Sequence, residues 1–131
     1  MAEPNKVAEP RLLQYAIAFV FLTLGAWCLV APASVISLTI RPEYQDFSPL
    51  TTLTIAAFGS QAILSGLFAA FSIFTRRTFL VYAIALLPYF VFNYWFYFSD
   101  PMFNELLLLD FGGNVAMLAL CVRGYLISPR T

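Results

Sequence analysis

An all-α integral membrane protein, a bundle of four transmembrane helices with both termini cytoplasmic, is the fold class this sequence predicts, and three observations predict it. Hydrophobic residues make up 61% of the 131 and charged residues only 11%, a mix too apolar for the surface of a soluble domain of this size. Charges gather between four nearly uncharged stretches, each long enough to cross a hydrocarbon core of about 30 Å. Positive charge is also shared unequally between the two sides that such a layout creates. One domain, residues 1–131, is the expected organisation.

The elements follow in order. Residues 1–10, MAEPNKVAEP, carry both signs of charge and two prolines. They lack the basic start, apolar core and cleavage site of a secretory signal, so a short flexible tail should precede a mature span. Pro10 suits a first helical turn, and the first span is expected over about 11–31, where Pro32 ends it. Residues 32–48 are more polar, holding Arg41, Pro42, Glu43 and Asp46, and the piece SVISLTI is expected along the membrane interface. Ser48-Pro49 is a cap followed by a first-turn proline, which opens a second span over about 50–74. Arg76-Arg77 close it, and a very short turn leads to a third span, about 78–98, in which Pro88 predicts a kink. Asp100-Pro101 repeats the cap-plus-proline signal and predicts a fourth span over about 102–125, before the polar tail ISPRT.

Four spans return the chain to the side it started from. Lys6, Arg11, Arg76, Arg77, Arg123 and Arg130 then share that side, against Arg41 alone on the other, so the positive-inside rule places the termini in the cytoplasm. The membrane itself is left open between the endoplasmic reticulum or another eukaryotic membrane and a bacterial inner membrane.

Several function classes drop out at this level. Formal net charge is zero and there is no basic run, so nucleic acid is not an expected partner. The chain has no histidine, which removes histidine-ligated haem, the usual zinc sites, Ser-His-Asp hydrolysis and Cys-His catalysis. Cys28 and Cys121 fall in different spans without a CxxC and read as buried thiols. No catalytic residue, metal site or cofactor is assigned.

Two features carry the candidate site. In PYFVFNYWFYFSD, residues 88–100, eight of the ten positions from Tyr89 to Phe98 are aromatic. The run reads either as an interfacial belt with packing, or as the lining of a lipid- or sterol-sized pocket in the outer half of the bundle, with Tyr89, Tyr94 and Trp95 as lining candidates. Asn93, inside the run, suits a bond to a neighbouring helix.

The second feature is Asp110. Counted from Met102 at about 1.5 Å per residue, it lies roughly 12 Å below the outer boundary, near the midplane. Gln61 reaches a similar depth, Asn114 lies one turn further on the same face, and Thr23 is close by. A charge there costs about 2.5 to 3.5 kcal/mol, so Asp110 should point into the bundle, pair with such partners or stay protonated. It is either a ligand-recognising or proton-linked carboxylate, or a hydrogen-bonding residue that locks the fourth span to the second. Glu105, by contrast, should sit in the first turn of the fourth helix and favour its N-terminus.

Gly112-Gly113 marks a close helix approach or a bend. Gly59, Ala62, Gly66 and Ala70 make a small-residue stripe on the second span. Packing of the second and fourth spans there would bring Gln61 towards Asp110; alternatively the stripe joins two copies of the chain. Arg76-Arg77 also offer a site for an anionic lipid headgroup.

LGAWCLVAPASVISL at 24–38, a helix ending in a proline before a short apolar segment, and AFGSQAILSGLFAAF at 57–71, a glycine-punctuated span, resemble small four-helix membrane-protein families of the DoxX-like kind. The same second span, with Phe58-Gly59 and the short turn after it, also resembles the ergosterol-biosynthesis scaffold family of four-helix endoplasmic-reticulum proteins. The resemblance implies the four-helix layout and transfers no catalytic residues.

The expected function is a non-enzymatic membrane module that binds a lipid-like ligand or scaffolds partner membrane proteins. The candidate residues are Asp110, Gln61, Asn93, Asn114, Tyr89, Tyr94 and Trp95. Membrane lipids, a lipid or sterol-like ligand, and a partner membrane protein or second copy are the expected partners. The alternative is a small membrane enzyme acting on an apolar substrate, with Asp110 as general acid or base.

Overall fold

A computed structural model describes residues 5–130, and the first four residues of the expected tail lie outside that range. Four helices are long and apolar enough to cross a membrane, consistent with a multi-pass integral membrane protein. In order, α1 spans Asn5–Val30, α2 Pro32–Thr39, α3 Pro49–Phe71, α4 Arg76–Tyr94 and α5 Leu107–Ile127.

The punctuation residues explain most boundaries. Helix α1 begins ahead of Pro10, which stands inside it rather than in the expected first turn. Only Ala31 separates α1 from α2: its N–H still bonds Trp27 O at 3.0 Å, and Pro32 takes the first position of α2, where a missing N–H is harmless. Ser48 caps α3, accepting from Thr51 N at 3.3 Å. Asp46 braces that cap by accepting from Ser48 N at 2.8 Å, from Ser48 Oγ at 2.9 Å and from the Thr51 hydroxyl. The Thr51 hydroxyl first, then the two Ser48 groups, hold its carboxyl below the ordinary 3.8.

Helix α3 stops at Phe71, short of the expected 74, because Gln14 of α1 takes over its end. Gln14 Nε2 donates to Ala69 O and Ser72 O, both at 2.6 Å, and Gln14 Oε1 accepts from Phe74 N at 3.2 Å. Thr75 then caps α4 in a reciprocal box with Thr78, so Arg76 and Arg77 open α4 instead of closing α3. Pro88 sits inside an unbroken α4, whose end loosens into a wider turn over Trp95–Ser99, closed by Asp100 N bonding Trp95 O at 2.7 Å.

The fourth long helix starts at Leu107, later than the expected 102. Residues 102–104 are spent on a clasp instead. Arg41 N donates to Met102 O and Asn104 N to Thr39 O, each at 2.9 Å, pairing Ile40 with Phe103 as one antiparallel bridge. Arg41 Nε adds a bond to Phe103 O at 3.0 Å, and Asn104 Nδ2 one to Leu38 O at 2.6 Å. Phe96 O accepts from both Met102 N and Phe103 N. With those backbone groups committed elsewhere, the helical ladder cannot begin at Pro101.

Helix α1 packs along α3, α4 along α5, and α1 also touches α5. The small-residue stripe of α3 therefore serves α1 and not α5. A Cβ at Gly59 would stand 2.6 Å from Gly25 O and Leu29 N, and one at Gly25 2.8 Å from Gly59 O and Ile63 N. The two backbones meet where only glycine fits, and Gly66 makes room for Leu22 one step further along. Helices α4 and α5 run antiparallel in a fixed register. The Phe79 ring lies on Gly124 at one end, Asn93 bonds Asp110 at the other, and the buried Leu86 and Met117 fall midway between. Glu9 of α1 bonds Arg123 of α5, so both termini leave the same end of the bundle.

Candidate functional site

The register of α4 and α5 ends on three polar side chains. Asn93 closes the buried stripe Phe79, Leu86, Asn93 of α4. Asp110 and Asn114 open the stripe that continues through Met117, Cys121 and Gly124 of α5. At positions 93 and 114 the apolar pattern is interrupted by amides only 6% and 3% exposed, each of which must find a partner inside.

They find one another. Asn93 Nδ2 donates to Asp110 Oδ2 at 2.9 Å, Asn114 Nδ2 donates to the same oxygen at 3.1 Å, and Asn114 Nδ2 also reaches Asn93 Oδ1 at 3.0 Å. Asp110 lies in the first turn of α5, because the helix starts at Leu107 and not at the expected 102. About 4.5 Å of helix separates it from Leu107. There the positive end of the helix dipole faces it, so two amide donors and a helix terminus together offset the cost of an apolar setting. Asp110 is only partly buried. Its second oxygen, Oδ1, accepts no bond from the described residues and is not shut away from the surface.

The other expected site residues lie apart from this cluster. Gln61 is exposed on α3, which packs on α1, so the expected Gln61–Asp110 meeting does not occur. Thr23 bonds Phe19 O on its own helix. Tyr89 is half-buried and joins the apolar core, whereas Tyr94 and Trp95 are 64% and 54% exposed and face outwards as belt residues do. Other rings pair between elements: Phe90 meets Phe111 edge-on at 5.8 Å and Phe96 meets Phe103 at 6.1 Å. The described residues include two open hollows of note. One of about 470 Å³ lies at Arg41, Asn104, Glu105 and Leu106, and one of about 520 Å³ runs along α5; Tyr89, Tyr94 and Trp95 line neither. Gly112 and Gly113 have nothing within 4 Å of an added Cβ, so no helix approaches them closely among the described residues.

Two organising side chains went unread in the sequence. Gln14 is 4% exposed and serves three backbone groups; its signal was an amide in an otherwise apolar first span. Arg41 looked like a lone charge on the outer side and instead ties two loops together through the backbone. No family model, curated protein or solved structure matches the chain.

Proposed function

We propose that this chain is a non-enzymatic multi-pass membrane module, with both termini in the cytoplasm, that binds a lipid-like ligand at the end of the α4–α5 seam. The reading rests on Asp110. Both cluster amides converge on its Oδ2, while Oδ1 remains an uncommitted acceptor that reaches the surface. Such an oxygen at the end of an apolar seam suits an apolar molecule with a hydroxyl or amine donor. Among the described residues the cluster's bonds are those between Asn93, Asp110 and Asn114, an arrangement of one carboxylate and two amides that suits recognition of a donor group. The inner location of the termini rests on the six cations at that end against Arg41 at the other.

Purification in mild detergent followed by native mass spectrometry tests the reading. A lipid-sized molecule should co-purify with the wild-type chain and be lost from Asp110→Asn. In that variant the remaining oxygen must still face the two amides, so the outward atom becomes a donor and repels the ligand's own donor. Absence of any co-purifying molecule from wild type rules the reading out. Turnover of an apolar substrate that disappears in a stably folded Asp110→Asn puts the enzyme reading in its place.

A further inference from the structure

We infer that the flank of α5 at the end carrying the termini is a binding site for one anionic phospholipid of the adjoining leaflet, separate from the Asn93–Asp110–Asn114 cluster at the opposite end. The open hollow of about 520 Å³ there is lined by Val115, Leu118, Ala119, Val122, Leu126 and Ile127, with Arg123 on its margin one helical turn before its end. These positions recur at three- and four-residue steps, so they form one face of the helix. From Val115 to Ile127 the trough runs roughly 18 Å along the axis, close to the depth of one leaflet in a core of about 30 Å. Ala119 in its middle leaves a shallow bed for an acyl chain between the larger neighbours.

Arg123 supplies the charge that selects the headgroup. Its side chain is 60% exposed, and Nε and Nη2 both turn to a single carboxylate oxygen of Glu9. A guanidinium carries five N–H donors in a planar fork, and among the described residues Nη1 makes no hydrogen bond. A fork of this shape matches phosphate geometry. Arg76 has its guanidinium 4.2 Å over the Tyr125 ring and does not line the hollow. A neutral zwitterionic lipid would offer the same acyl chain without net charge for Arg123, which is why the site should prefer an anionic one.

The full chain, delipidated in detergent, can be titrated with dioleoyl-phosphatidylglycerol or dioleoyl-phosphatidylcholine and the bound adducts counted by native mass spectrometry. Phosphatidylglycerol should be retained preferentially. Arg123→Gln should weaken its retention about tenfold, the loss expected for one charge-assisted hydrogen bond. Glu9→Gln breaks the same ion pair but keeps the cation, so it should hold phosphatidylglycerol at least as well as wild type. Ala119→Phe, on an outward position, should lower retention of both lipids by filling the trough. Equal retention of the two lipids by wild type, or equal losses in Arg123→Gln and Glu9→Gln, overturns the inference. Because Asp110 is unaltered throughout, failure here leaves the outer-end ligand untouched.

Discussion

Asp110 shows how a charged residue is accommodated at one end of an apolar bundle. Two amide donors and the first turn of α5 surround one of its oxygens, and the arrangement locks α4 to α5. Interhelical hydrogen bonds in membrane proteins average about 0.6 kcal/mol and reach about 1.7 in double-mutant cycles. Asn93→Leu combined with Asp110→Ala should therefore give a coupling energy of that order in reversible unfolding of the detergent-solubilised chain; strict additivity would show that the bond does not hold the helices. Gln14 carries more. Gln14→Leu strands two carbonyls and one amide near the α3–α4 turn, at about 1–3 kcal/mol for a buried unsatisfied group, so it should lower the unfolding free energy more than Asn93→Leu does. The reverse order would mean that the turn re-pairs by itself.

At the scale of elements, the glycines divide by what faces them. Gly59→Leu must drive apart two backbones that touch, and overpacking of this kind costs about 1–3 kcal/mol; thermal unfolding should fall accordingly. Gly112→Ala meets open space in a helix and should stabilise by up to about 1 kcal/mol, so a loss there would reveal a contact with another chain. The start of α3 adds a pH dependence. Asp46 has a depressed folded-state pKa, so its bracing of the cap is fully present above the unfolded carboxylate value of about 3.9. It is lost as pH falls through the lower folded value. Amide exchange at Thr51 and Thr52 should accelerate in Asp46→Asn above pH about 4 and converge with wild type in stronger acid. Exchange rates that match at neutral pH would show that Ser48 caps the helix unaided.

For the molecule as a whole, the decisive quantity is how little of each span is covered. Between 22% and 28% of each apolar window is buried inside the chain, so the greater part of every long helix faces lipid or a partner. The orientation has a direct test. In a chain with Cys28 and Cys121 replaced by alanine, a cysteine at Arg130 should react with a membrane-permeant maleimide and resist an impermeant one added from outside the cell or from the organelle lumen. Impermeant labelling there would reverse the proposed topology.

The sequence by itself determined the four long apolar helices, their even number and the unequal placement of cations, because span length and hydropathy are local properties that the bilayer reads directly. It also marked Asn93, Asp110 and Asn114, since an amide or carboxylate stands out in an apolar stretch. Only the tertiary structure decided which of them meet. Asn93 had been counted with the aromatic run and Gln61 with Asp110, whereas the α4–α5 register brings Asn93 to Asp110 and the Gly25–Gly59 contact turns α3 towards α1. Lipid tails are as apolar as the helix faces, so hydrophobic pattern cannot choose between neighbours. Close backbone fit and a few hydrogen bonds between residues far apart in the chain choose them. The late start of α5 has the same cause: backbone groups of residues 102–104 pair with Thr39 and Arg41, more than sixty residues earlier, which no local signal at Asp100-Pro101 could announce.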